Sequence, residues 1–110
     1  MDSLFAHLRP HATLRRIKKG GNVLFQGEIP RSVMIVRDGV VRAYTITSAG
    51  EERIVALYGK GEIFPPAWAL DEAPNALFYY DALTEVRVMS VTKQAFNETI
   101  TDNKTLLREA

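Results

Sequence analysis

Short apolar runs separated by glycine turns mark this chain over most of its length. Val33-Met34-Ile35-Val36, Val40 to Thr47 and Arg53 to Tyr58 are rich in β-branched and aromatic residues. Such residues suit a pleated, half-buried surface. Gly27, Gly39, Gly50 and Gly61 punctuate these runs at intervals of 11 or 12 residues. Turn signals at that rhythm predict an all-β sandwich or barrel rather than alternating strands and helices.

The pattern divides further into elements. Asp2 or Ser3 can cap a short helix over Leu4 to Leu8, and Pro10 stops it. Thr13 to Lys19 reads as a first strand, Gly20-Gly21 as a turn, and Val23-Leu24-Phe25 as a second strand. Ser32 to Arg37 and Val40 to Thr47 flank Asp38-Gly39. That dipeptide predicts a two-residue hairpin, because both central positions of a type I′ turn need positive φ. Ser48-Ala49-Gly50 predicts a second, looser hairpin into Glu51 to Tyr58, and Gly59-Lys60-Gly61-Glu62 turns again. Pro65-Pro66 blocks regular pairing, so Ala67 to Leu70 is expected to form one helical turn, ended by Pro74. Leu77 to Leu83 and Glu85 to Val91 are the last two strands. Thr92 caps a helix that buries Phe96 and Ile100 at helical spacing. Thr101 or Asp102 can start another, whose apolar stripe begins at Leu106-Leu107 and is cut off at Ala110. A short helix depends on packing for its stability, so the parent protein is expected to continue past residue 110.

Composition narrows the function classes. A chain of 110 residues with 46% hydrophobic content makes one domain with a real core. A net charge of +1 argues against a dominant nucleic-acid or membrane field. The absence of cysteine excludes a disulfide framework and any cysteine-held zinc or iron–sulfur site. The start, Met1-Asp2-Ser3-Leu4-Phe5, is acidic and has no signal-peptide character. No apolar run approaches the roughly 20 residues of a membrane helix. A cytoplasmic location without membrane contact is the expectation.

The words Val23-Leu24-Phe25-Gln26-Gly27-Glu28, Met34-Ile35-Val36-Arg37-Asp38-Gly39-Val40-Val41-Arg42, Ala49-Gly50-Glu51-Glu52 and Gly59-Lys60-Gly61-Glu62-Ile63-Phe64 follow one another in that order. Over residues 5–107 the chain resembles the cyclic-nucleotide-binding domain of the Crp/Fnr transcription regulators. The resemblance implies a mainly β fold: a cupin-like β-roll, that is, a double-stranded β-helix or jelly roll, with short flanking N- and C-terminal helices. It also implies that residues 1–110 form a single sensor domain. The parent protein would add a helix that makes a homodimer and a helix-turn-helix domain that reads DNA. Neither lies within these residues, so DNA contact is expected only through a domain absent from this chain.

The resemblance breaks where the nucleotide would bind. In cAMP-binding relatives a Gly-Glu pair, and an Arg-Ser or Arg-Thr pair about ten residues on, hold the ribose and the cyclic phosphate. Matched by position, those pairs fall on Pro65-Pro66 and Ala76-Leu77. No arginine lies between Arg53 and Arg87. An anion buried without a cation is prohibitively costly, so cAMP is not an expected ligand. The degenerate cassette supplies the candidate pocket residues Phe64, Pro65, Pro66, Ala67, Trp68, Leu70, Asn75, Ala76, Leu77 and Phe78. They would either line a site for an unknown uncharged or aromatic effector or fill the vacated pocket as core, with no effector at all.

Arg42 and Arg53 are secondary candidates, since strands that pair could turn both toward one ligand. The bland reading makes them solvent-facing cross-strand partners of Glu51 or Glu52. Arg15-Arg16 and Lys18-Lys19 form the one basic cluster visible in the sequence and read as a solvated, blunted edge strand. His7 and His11 are four apart but separated by Pro10, and no histidine follows them. Cupin metalloenzymes share the roll shape but hold their metal with several strand histidines. No enzyme activity, metal or cofactor is therefore expected. The reading is a regulatory sensor domain of a Crp/Fnr-type transcription regulator that does not bind cAMP. The alternative is a stand-alone structural or protein-interaction β-roll without ligand.

Overall fold

The computed structural model describes residues 6–102. Eight strands form two four-stranded sheets, with helices on the outer side of one of them. The strands are β1 (Thr13–Ile17), β2 (Asn22–Leu24), β3 (Val33–Asp38), β4 (Val41–Ile46), β5 (Glu52–Tyr58), β6 (Ile63–Phe64), β7 (Tyr79–Ala82) and β8 (Val86–Val91). The helices are α1 (Pro66–Ala69) and α2 (Lys93–Asp102). Residues 6–8 are helical and run into a 3-10 turn, Arg9–His11, that contains Pro10. The first sheet has the order β1-β8-β3-β6, the second β2-β7-β4-β5, and every pairing is antiparallel. The mainly β roll with short flanking helices is thus the fold that the glycine rhythm and the resemblance implied.

Alternation along the strands builds two cores. Met34 and Val36 of β3, Val86 and Val88 of β8 and Phe64 of β6 point between the sheets. There they meet Leu24, Val41, Ala43, Tyr80 and Ala82 of the second sheet. The intervening residues Val33, Ile35, Met89 and Val91 point outward and pack with Leu8, Trp68, Ala69 and Phe96. The first sheet is therefore apolar on both faces, which accounts for the unbroken run Val33-Met34-Ile35-Val36. Helix α2 forms as expected: the Ala95 N–H donates to Thr92 Oγ1 at 3.0 Å, Phe96 is fully buried, and Ile100 packs beside it. Thr101 belongs to this same helix. The expected N-terminal caps Asp2 and Ser3, and the stripe at Leu106-Leu107, lie outside the described residues.

Asp38-Gly39 is not a hairpin. β3 belongs to the first sheet and β4 to the second, so the chain crosses between sheets at this point. Gly39 has φ +87°, as an Asp-Gly turn demands, but its need for glycine comes from a close approach. A Cβ there would lie 2.1 Å from the Glu85 carbonyl oxygen and 2.9 Å from Thr84 Oγ1. The Val40 N–H donates to Thr84 Oγ1 at 3.0 Å, and the Leu83 N–H to the Val40 carbonyl at 2.9 Å. The crossing is thereby tied to a second crossing, from β7 to β8. The true hairpin is the looser one, β4 to β5, where the Thr47 N–H donates to the Glu51 carbonyl at 2.8 Å.

Two stability predictions follow from this packing. Gly50→Ala meets no atom within 4 Å and isolates the strain of its positive φ, +84°. That substitution should cost about 1–3 kcal/mol in a denaturant titration. Gly39→Ala adds a collision with fixed backbone and should cost clearly more; equal costs would show that the crossing can relax. Trp68, 7% exposed, is wedged among the outer-core side chains. Its emission should be blue-shifted and poorly quenched, and Trp68→Ala should cost about 3–5 kcal/mol. Freely quenched emission would contradict that placement.

Candidate functional site

The candidate loop divides at Phe64. β6 is only two residues long, and its register sets Phe64 opposite Met34 on the inner face and Ile63 opposite Ile35 on the outer face. The chain then leaves the sheet at Pro65-Pro66 and lays α1 on the outer side. Phe64, Ala76 and Phe78 consequently pack in the roll interior. Trp68 packs in the outer core, against the helices, and not in the roll interior where the expectation of a filled pocket puts it. Leu70 and Leu77 are 39% and 46% exposed, so neither serves as pocket lining. Pro65 is buried, and Pro66, Ala67 and Asn75 are half-buried. The ten residues are not one surface, because a proline-broken loop crosses from one core to the other.

What fills the interior beside Phe64 is a pair of tyrosines. Phe64 and Tyr80 stack with centroids 5.5 Å apart, and Tyr58 lies 5.9 Å from Phe64 and 6.1 Å from Tyr80. Burial pushes both phenols above their ordinary pKa, most strongly Tyr80. Strand alternation held the signal for Tyr80, since it shares a face with Phe78 and Ala82. The backbone of the loop is also committed. The Ala76 N–H donates to the Glu28 carbonyl at 2.9 Å, and the Ala76 carbonyl accepts from Gly27 at 2.8 Å. Pro65 and Pro66 have no N–H to offer.

The secondary candidates separate as well. Arg42 pairs in register with Leu57, and Arg53 with Thr45. Residues 42 and 45 lie an odd number apart on β4, so the two arginines occupy opposite faces of the sheet and cannot grip one ligand. Arg42 lies on the outer face. Its Nε donates to Asp81 Oδ1 at 2.7 Å, its Nη2 to Glu52 Oε1 at 3.0 Å, and its guanidinium covers the Tyr44 ring at 4.2 Å. The hydrogen bond to Asp81, then that to Glu52, holds Arg42 above its ordinary pKa against the opposing effect of burial. Tyr44, which stacks on Tyr79 at 5.4 Å, is raised by burial and then by the charges of Asp81 and Glu52. Arg42 is therefore a cross-strand partner of Glu52, but part-buried over Tyr44 rather than solvent-facing, with Asp81 as a stronger partner from β7. Arg53 is exposed.

One further contact touches the loop. Lys93, the first residue of α2, sets its Nζ 4.8 Å above the Trp68 ring and forms an ion pair with Asp71, just after α1. Asp71 takes a left-handed conformation, φ 60°, and its N–H donates to the Trp68 carbonyl at 3.2 Å. α1 and α2 are thus stapled through one lysine. Nothing in the sequence signalled this, because the partners lie in separate elements. No helix among the described residues is long and apolar enough to cross a membrane.

This architecture is shared with known proteins. The sequence model of the cyclic nucleotide-binding domain family matches residues 14–103. The Cyclic AMP receptor protein of Thermus thermophilus is 34% identical over 62 residues, 56% of this chain and 29% of that protein. The chain thus spans less than a third of the length of this curated relative. The sensor domain of the transcriptional regulator DNR from Pseudomonas aeruginosa superposes with a TM-score of 0.79 at 22% identity, covering 99% of this chain and 73% of that one. The Catabolite Activator Protein of Thermus thermophilus gives 0.80 at 20% identity, covering 98% and 50%. With the family match extending over most of its length, the chain belongs to the cyclic nucleotide-binding domain family.

Proposed function

We propose that this chain is the regulatory sensor domain of a cytoplasmic Crp/Fnr-type regulator that no longer takes cyclic nucleotides. The observation that carries the reading is the missing counter-charge. A cyclic phosphate entering the roll would meet Phe64, Tyr58 and Tyr80, while Arg42 is bound to Asp81 and Glu52 on the far side of the sheet. Charge-assisted hydrogen bonds are what make phosphate recognition strong, and the loop offers none. With its own aromatics inside, the roll acts either without an effector or with an uncharged one that displaces them. The domain does no enzymatic chemistry on this reading; it passes a conformational signal.

The signal route is the staple between α1 and α2. A ligand or partner that binds one arrangement of α1 better shifts α2 with it, by as much as its affinities for the two arrangements differ. The homodimer and the DNA-reading domain belong to the parent protein. Ile46, Ile54 and Leu57 support a partner segment there, since all three lie exposed on the outer face of the β4–β5 hairpin.

Calorimetry with cAMP and cGMP should show no saturable heat at micromolar ligand. Tight binding of either would overturn the reading. Sedimentation of the 110-residue chain at micromolar concentration should show a monomer, and band shifts at physiological salt should show no sequence-selective DNA binding. A tight dimer or a selective complex would mean that this domain alone carries what is assigned to the rest of the protein.

A further inference from the structure

A second site lies on the first sheet, away from the candidate loop residues. A cavity of about 590 Å³ opens at the first sheet, along β1, the start of β8 and the end of β3. Arg9, Arg15, Arg16, Arg37, Lys60 and Arg87 line it together with one acid, Asp38, and a second carboxylate, Glu85, pairs with Arg16. Six of the chain's fourteen lysines and arginines therefore gather in one place, although the whole chain carries only +1. A concave wall of one charge sign focuses the field and raises the local concentration of anions.

Three details argue against an accidental surface. Arg16 and Arg87 are direct register partners on β1 and β8, and like charges opposite one another destabilise a sheet. Their ion pairs, Arg16 to Glu85 at 2.6 Å and Arg87 to Asp38 at 2.9 Å, are largely exposed, with side chains 54–72% accessible. Exposed pairs of this kind contribute little, so they do not explain why two arginines face each other. Arg37 sits at a β-bulge: Val36 pairs with Val88, but Asp38 pairs with Arg87, leaving Arg37 as the extra residue. Bulges bend a strand and re-aim a side chain, and this one falls at the groove. Finally, the cations come from separate elements: the 3-10 turn, β1, β3, the turn before β6, and β8.

We propose that this groove binds a small anion carrying a chain of adjacent phosphates. A single phosphate or carboxylate would satisfy only part of the array. Arginine forks suit phosphate oxygens, and the volume lies within the range of small-ligand sites. Leu14, 60% exposed, adds an apolar wall that an organic group attached to the phosphates can use. The site goes beyond the proposed function: it does not use the roll interior, and it stands whether or not cAMP binds there.

The test is a calorimetric titration of the 110-residue chain with tripolyphosphate and, separately, with ATP, at low and physiological salt. Saturable binding is expected for both, weaker at higher salt because exposed charges are screened. ATP binding more tightly than tripolyphosphate would assign the natural ligand to the nucleoside polyphosphates, and equal affinity would assign it to the phosphate chain itself. The variant Lys60→Ala with Arg87→Ala should weaken both by about tenfold or more. The control Lys18→Ala with Arg53→Ala removes the same charge outside the groove and should change affinity by less than about twofold. Equal loss in both variants would reduce the effect to net charge and overturn the proposal. So would the absence of saturable binding, or a random-sequence DNA duplex binding through the groove while tripolyphosphate does not. Circular dichroism of each variant separates lost binding from lost folding, and a variant that fails to fold is replaced by Lys60→Gln alone.

Discussion

The pair of strands β3 and β8 must be apolar on both faces, and most of the molecule depends on that. They are neighbours in the first sheet, and their alternation sends Met34, Val36, Val86 and Val88 into the roll. The same alternation sends Val33, Ile35, Met89 and Val91 out under the helices. All eight are essentially buried. Each contributes on the order of 1.5–3 kcal/mol relative to an exposed side chain, so neither core can be weakened without loosening the wall they share. A one-residue slip of β3 would exchange the two sets, which explains why its register is fixed from both sides.

That shared wall makes the helices and the roll interior parts of one object. α1 rests on the outer face through Trp68 and Ala69, and α2 through Phe96. Lys93 joins the two by covering the indole and pairing with Asp71. Displacing Phe64 inside the roll would disturb Pro65 and the start of α1, and hence Trp68. The loop therefore connects the interior to α2. The inner-core contacts and the outer-core contacts belong to different side chains of the same loop, Phe64, Ala76 and Phe78 on one side and Trp68 and Ala69 on the other.

Much of this was legible in the sequence, and the failures have physical causes. Glycine rhythm and β-branched runs reported the strands, since both are local properties. Asp38-Gly39 reported a positive φ correctly, but a positive φ does not say whether the next strand returns beside the last or crosses to another sheet. At Gly39 the deciding neighbour is the carbonyl of Glu85, far along the chain. Trp68 was legible as buried but not as to which core it enters. A four-residue helix that begins on the second of two prolines has no period long enough to define a face. Arg42 and Arg53 lie on paired strands, and only the register, with its bulge between Ala43 and Tyr44, reveals that they face apart. The basic groove was invisible for a related reason. The sequence showed Arg15-Arg16 beside Lys18-Lys19, whereas the fold leaves those lysines out and brings in Arg9, Arg37, Lys60 and Arg87.

Net charge conceals this arrangement. A value of +1 suggests an indifferent surface, yet the charges are sorted by sheet. On the outer face of the second sheet, Arg42 is balanced by Asp81 and Glu52 and sits only 20% exposed over an aromatic ring. On the first sheet, Arg16 and Arg87 oppose each other with one partner apiece, and Arg9, Arg37 and Lys60 add to the same side. Folding stability alone favours the first arrangement, since it satisfies a partly buried cation, and disfavours the second, since it sets like charges together. The two sheets thus differ in what their charges do. One set holds strands together, and the other leaves an attractive potential open to solvent, which is the condition for recruiting an anion.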